Sequence, residues 1–399
     1  MSETLRIGFL PLVDACLPIL AHEHGFARAE GLTLSFVRDV SWATVLDRLL
    51  YGHTDAAHML APLAIATTLG RGRPAQPLAA PFVLGLNGNG ITFSTTLADR
   101  VHLGAGLGDP VDVGRRLKNA IEERGRPARF GVVHRYSSHN YMLRYWLAGC
   151  GLRADRDFEI VTVPPPFASD ALAGGEIDGT CVGEPWNSVA VERGVGRIVL
   201  ATAQIWRRGV EKVLAMRTPV LAERQDAVEA LIRAMRAAGA QFVDPANWTE
   251  NAAILARPEY CGADAGLILR AISDRLVLRR GEEPFEYPDF MFQYREAANF
   301  PWTSQAAWIY SQMVRWEGFE YSAEHGRAAS GVFRPDVYRR ALGGTGEPLP
   351  GASAKVEGSL SHATAVGAQQ GSMILEPNRF FDGRSFDPDQ VPEYLAALP

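Results

Sequence analysis

The sequence predicts an α/β protein of two lobes facing each other across a ligand cleft, and three observations carry that expectation. A β-α-β-α-β unit occurs twice at a constant offset, and a long helical region follows the second copy. The chain, at 399 residues with 47% hydrophobic and 21% charged content, is long enough to bury more than one core in an ordinary globular protein.

The first copy opens with LRIGFLPLVDACLPILAHEHGFARAEGLTLSFV (5–37) and the second with ARFGVVHRYSSHNYMLRYWLAGCGLRADRDFEIVTV (128–163). Both read strand, loop, helix, a Gly-Leu pair and a second strand. The units close with LLYGHTDAAHMLAP (49–62) and LAGGEIDGTCVGEP (172–185), each a helix end, a glycine, an aspartate, a short strand and a proline. Gly8 matches Gly131, Gly52 matches Gly175, Asp55 matches Asp178 and Pro62 matches Pro185, all at an offset of 123. Such a unit makes a parallel sheet with helices on its faces, so two units give two lobes. We expect lobe one at 1–92 plus 213–399, with lobe two inserted at 93–212.

Beyond residue 217 the pattern turns helical, as in DAVEALIRAMRAAGAQFV (226–243) and SQAAWIYSQMVRW (304–316), with apolar residues at helical spacing. The glycine- and proline-punctuated stretch 343–355 reads as a surface loop. The tail FFDGRSFDPDQVPEYLAAL (380–398) reads as a strap packed back on the body.

Ligands of open α/β sheets bind beyond the carboxyl ends of the strands. That points to 11–14, 41–42 and 60–62 in lobe one and to 134–139, 164–167 and 183–186 in lobe two. Ser137 and Ser138 signal a helix N-terminus, and His139 stands at this dipole end, where a small anion finds free N–H donors. A histidine that only caps or packs is the competing reading. Trp42 sits where a strand gives way to a helix, as a cleft wall or as core. Asn89, in LNGNGITFS, is a turn residue or an amide donating across the hinge. Gly183 lets a backbone N–H approach a ligand closely, and Glu184 beside it pairs with a cation, gates the lobes or faces water.

Lys212, in RRGVEKVLAMR (207–217), is one of three lysines among forty basic residues. It is either a surface partner of Glu211 or a lone ammonium carried into the cleft. A compact ammonium suits a small pocket better than a guanidinium fork does.

Function classes are excluded as well. A net charge of -5 without a basic stripe disfavours direct nucleic-acid binding. Cys16, Cys150, Cys181 and Cys261 lack metal-type spacing and read as reduced, buried thiols, so neither metal nor cofactor is expected. No nucleophile elbow, P-loop, HExxH or Gly-rich dinucleotide turn is present, which favours a binder over an enzyme. GFLPLVDACLPILA has an apolar run, but Asp14 interrupts it and no charged n-region precedes it. It reads as part of the fold, and the protein as cytoplasmic, with no membrane span.

LRIGFLPLVDACLPILAHEHGF, SWATVLDRLLYGHTDAAHMLAPL, LNGNGITFS, SSHNYMLRYWLAGCGL, VPPPFASDALAGGEIDGTCVGEPWN and FFDGRSFDP together resemble the NrtA/CmpA-like nitrate- and bicarbonate-binding proteins of ABC transporters. The resemblance covers nearly the whole chain and implies the two-lobed, type II periplasmic-binding-protein fold. It also implies an oxyanion pocket of Trp42, Asn89, His139, Gly183 and Lys212, with Asp14, Ser41 and Glu184 behind them. Asn89 stands where some relatives carry the longer glutamine. His139 with Lys212 looks more like the nitrate branch. Bicarbonate, whose O–H wants an acceptor, would use Glu211 or Glu184. Without an export leader the chain looks like the cytoplasmic sensors of the NasS type. Those hold an RNA-binding antiterminator of the NasT type inactive until nitrate or nitrite binds. A transporter's substrate-binding component is the alternative. An enzyme is the third reading, since the fold also hosts pyrimidine-precursor synthases and a desulfinase.

Overall fold

The computed structural model describes residues 3–399. Two sheets are built chiefly from β1 (Glu3–Phe9), β2 (Leu32–Arg38), β3 (Ala56–Leu60), β4 (Leu78–Asn87), β5 (Asn89–Ser94), β6 (Ala128–Val132), β7 (Phe158–Thr162), β8 (Gly179–Gly183), β9 (Gly196–Ala201) and β10 (Val210–Arg217). The first sheet runs β4-β10-β3-β1-β2, with the short strand Met291–Phe292 outside β4, and the second runs β7-β6-β8-β5-β9. In each, the strands of the repeated unit pair in parallel as β2-β1-β3 and β7-β6-β8. β3 and β8 are buried along their whole length. Strands covered on both faces read as near-continuous apolar runs, which His58 interrupts in β3 and Thr180 in β8.

The matched residues of the repeat serve the fold. Asp55 accepts the backbone N–H of Arg6 at 2.8 Å, and Asp178 accepts that of Arg129 at 2.9 Å. The paired backbone bonds recur too, from the Asp55 N–H to the Arg6 carbonyl and from the Asp178 N–H to the Arg129 carbonyl. Each carboxylate therefore ties the entry of the unit's third strand to its first. Gly52 and Gly175 both adopt positive φ, 75° and 69°, a conformation other residues reach only with strain.

The lobe boundaries lie a few residues earlier than expected. β5 belongs to the second sheet and β10 to the first, so the chain crosses at Asn87–Gly88 and again around Arg207–Gly209. The two crossings are stitched together: the Asn87 side-chain amide donates to the Arg207 carbonyl at 2.9 Å, and Gly209 N–H donates to Asn87 Oδ1 at 3.2 Å. Lys212, expected to end lobe two, is a lobe-one residue on β10. Each crossing strand lies antiparallel beside the third strand of the repeat it enters, β10 on β3 and β5 on β8.

Lobe one carries the helices Gln225–Phe242 and Thr303–Glu317, as the periodicity predicts. The 343–355 stretch is mostly exposed, but Leu349–Pro350 is buried and pairs with strand Ala368–Gln370. Two apolar residues in an otherwise polar loop bury themselves by pairing. The tail is a strap: Phe380 stacks on Trp206 with ring centroids 4.9 Å apart, and Asp382 accepts the Tyr145 hydroxyl of lobe two at 2.9 Å. All four cysteines are free thiols, and Cys150 is only partly buried. Among the described residues, no helix is long and apolar enough to cross a membrane.

Candidate anion site between the lobes

Burial of a lysine decides the geometry. Lys212 is fully buried, and its Nζ lies 2.8 Å from Asp14 Oδ2 and 2.5 Å from Glu211 Oε1. An ammonium out of water needs opposite charge and hydrogen bonds, and here two carboxylates supply both. Burial alone would lower the Lys212 pKa, but Asp14 and Glu211 outweigh it and raise it. Burial would likewise raise Asp14, yet Lys212 and His58 hold its carboxyl well below the usual carboxylate range. His58, on β3, lies with Nε2 2.8 Å from the other oxygen of Asp14.

The other predicted residues close around this group. The Trp42 ring stands 5.4 Å from the Lys212 ammonium and 5.2 Å from the His58 ring. Ser41 stays outside: it caps the helix Trp42–Leu50 by accepting the Thr44 N–H at 3.4 Å, which fixes where Trp42 begins. From lobe two, Ser137 accepts the Asn140 N–H at 3.1 Å and starts the helix Ser138–Gly149. That start sets His139 with Nδ1 3.3 Å from Glu211 Oε1. Asn89 and Gly183, the last residue of β8, sit opposite each other across β5 and β8. A Cβ on Gly183 would lie 3.3 Å from Asn89 Oδ1 and 3.5 Å from Asp14 Oδ2, so this corner admits no larger residue without adjustment.

Several polar atoms here are buried and find no hydrogen-bond partner within the protein: Trp42 Nε1, Asn89 Oδ1 and both ring nitrogens of His139. Buried polar groups are nearly always satisfied, so their convergence around one ammonium marks a place for a small polar ligand. Lys212 has three N–H donors and uses two on its carboxylates. Lys212 thus keeps one N–H free beside the unpartnered Trp42 indole N–H and the His139 ring, while Asn89 contributes an unpartnered acceptor, Oδ1. His139 is pushed down to about 4 by burial, against the pull of Glu211, so its ring is neutral in neutral solution.

Glu184 lies at the lobe contact. Its carbonyl accepts the Val13 N–H at 2.9 Å, its Oε2 accepts the Ser188 N–H at 3.3 Å, and its Oε1 has no partner. Burial pushes it up to about 7, against the hydrogen bonds from Ser188 and Asn187. Trp186 closes the same contact by donating Nε1–H to the Pro11 carbonyl at 3.0 Å.

The structure thus brings Trp42, Asn89, His139, Gly183, Lys212 and Asp14 together, and leaves Ser41 and Glu184 at the edges. Asp14 touches Lys212 directly instead of standing behind it. Sequence reasoning missed His58, hidden in the apolar strand AAHML; a lone ionisable residue on a doubly covered strand was the available signal. Glu211 was foreseen only as an acceptor for bicarbonate, and it also grips Lys212. Among the described residues no metal-type cluster of His, Cys, Asp and Glu occurs. Burial raises all four thiols, which makes them poor nucleophiles.

Known proteins share this plan. The periplasmic nitrate-binding protein NrtA of Synechocystis PCC 6803 superposes with a TM-score of 0.86 at 27% identity, over 100% of this chain and 98% of that one. By sequence, the nitrate/nitrite binding protein NrtA of Synechocystis is 29% identical over 409 residues, 99% of this chain and 84% of that protein. The nitrate import ATP-binding protein NrtC of Synechocystis is 33% identical over 346 residues, 86% of this chain and 50% of that protein. The chain spans about half the length of the transport ATP-binding relatives it matches. A model of the NMT1-like family matches residues 1–256. The chain belongs to the NMT1-like family, and it is similar along its whole length to the NrtA proteins.

Proposed function

We propose that the chain binds nitrate or nitrite between its lobes and acts as a cytoplasmic sensor, releasing an RNA-binding antiterminator of the NasT type when the anion arrives. The observation that carries the binding step is the set of buried, unpartnered polar groups converging on Lys212. Nitrate has only acceptor oxygens, which the remaining N–H of Lys212 and the Trp42 indole N–H can serve. The NrtA relatives, described as nitrate or nitrite binding, support that ligand class. Because Asp14, Trp42 and Lys212 stand in one lobe and Asn89, His139 and Gly183 in the other, the anion favours the closed arrangement by its differential affinity for it. Closure then alters the outer surface a partner reads. No catalytic step is part of this reading.

Calorimetric titration with nitrate, nitrite and bicarbonate tests the binding step. Nitrate should bind the wild type, and Lys212→Ala should largely abolish binding. Trp42→Phe, which removes one N–H and keeps the ring, should weaken it about tenfold. Unchanged affinity in both variants would remove this site. For the sensor step, an antiterminator co-purified with the chain should dissociate when nitrate is added. Persistence at saturating nitrate would leave the second reading, a transporter's substrate-binding component, which the import functions of the relatives favour.

A further inference from the structure

The charge of the site does not suit an anion as it stands. Burial lowers the pKa of His58 and leaves that ring neutral in neutral solution, so Asp14 and Glu211 share the single ammonium of Lys212 and the buried group carries one formal negative charge in excess. An anion entering this water-poor space would meet net repulsion unless a positive charge came with it.

His139 is placed to take that charge. Its Nδ1 lies 3.3 Å from the Glu211 carboxylate, and both ring nitrogens are buried without a hydrogen-bond partner. A neutral imidazole has one donor, whereas an imidazolium has two. With two, one N–H serves Glu211 and the other remains for an acceptor-only anion. Resting on the nitrate reading above, we propose that each anion enters together with one proton, taken from solvent onto His139, which then bridges Glu211 and the anion. The complex adds a negative and a positive charge at once, so the site's net charge is unchanged on binding.

The surroundings agree. Glu211 and Lys212 face His139 from β10, and Asp14 faces it from the segment after β1. His58 acts on Asp14 from β3, Cys181 on β8 is kept as the neutral thiol by burial, and Glu184 follows at the end of β8. Burial holds the free histidine neutral, at about 4, so near neutral pH the proton is absent before the anion binds. Glu211 is thereby a specificity-determining residue: it accepts from the imidazolium when nitrate is bound. Bicarbonate, which has its own O–H to donate, should need less proton uptake.

Calorimetry of nitrate binding at pH 7 in buffers of different ionisation enthalpy counts the protons. We expect about one proton taken up per nitrate, and a Kd that rises about tenfold per pH unit on the alkaline side. In His139→Gln, which keeps a single donor, uptake should fall to near zero and the pH slope should flatten, with weaker binding. Nitrate bound by the wild type without proton uptake would overturn this proposal and leave the nitrate reading intact. Uptake persisting in His139→Gln would also overturn it, placing the proton elsewhere. If the wild type binds no nitrate at all, the nitrate reading itself fails. Thermal unfolding of His139→Gln in parallel shows whether a null result reflects misfolding. Should that variant not fold, Glu211→Gln replaces it: with its acceptor neutral, the imidazolium loses its partner and uptake should again fall.

Discussion

Lobe one brings Asp14, His58, Glu211 and Lys212 to the cleft, whereas lobe two brings Asn89, His139 and Gly183. The first wall is charged and internally paired, with the ammonium held by two carboxylates and one of those held by a histidine. The second is neutral, and its Asn89 Oδ1 and both His139 ring nitrogens are unpartnered, whereas on the first wall only Trp42 Nε1 and His58 Nδ1 are so among its site residues. Both walls stand on the same repeated unit, with the same aspartate-to-backbone tie in each. The comparison teaches that the duplication preserved what folds the unit and diverged in what faces the cleft. A pre-paired wall resists rearrangement, so the unsatisfied wall is the one that gains most from a ligand.

The largest expected effect comes from breaking the charged wall. Lys212→Ala leaves Asp14 and Glu211 buried and uncompensated, and should lower stability by about 3–5 kcal/mol in urea unfolding, besides abolishing nitrate binding. Next come the two repeat aspartates. Asp55→Ala and Asp178→Ala should each destabilise by about 1.5–3 kcal/mol yet leave nitrate affinity within about twofold; a large affinity loss in either would blur the division between scaffold and site. A third test uses Glu184. Its folded pKa, raised to about 7 by burial, means the folded state holds a proton that the unfolded chain releases above about 4.3. That favours folding at low pH, and stability should fall by up to about 1 kcal/mol per unit as pH rises from about 4.3 to 7. Glu184→Gln should flatten that slope, as pH-dependent urea unfolding would report. The smallest effect is expected from Ser137→Ala: about 1 kcal/mol of lost capping, with weaker nitrate binding because the cap positions His139. Weakening without loss of stability would assign Ser137 to the pocket itself.

Much of the fold was legible because it rests on local rules. The offset of 123 located both sheets, since the glycines at positive φ and the aspartate ties have few substitutes. Helix periodicity fixed Gln225–Phe242 and Thr303–Glu317. The lobe boundaries were misplaced by a few residues because a strand that changes sheets looks, in sequence, like any other apolar strand. For the site, the resemblance supplied five residues that the structure brings together, while bare residue chemistry left Trp42, Asn89 and His139 open. His58 stands out in sequence only as a lone ionisable residue in an apolar strand, which gives no sign that it meets Asp14 from another segment.

The sequence by itself determined the duplicated α/β units, the helical remainder and the residue types gathered at the carboxyl ends of the strands, because backbone preference and apolar periodicity act over a few residues. Only the tertiary structure decided that Lys212 belongs to lobe one, that Asp14 and Glu211 share its charge, and that His139 meets Glu211 from the other lobe. Those are contacts between segments as far apart as 198 residues. Their strength depends on burial and on distances of a few ångströms, which follow only from the packing of the whole chain.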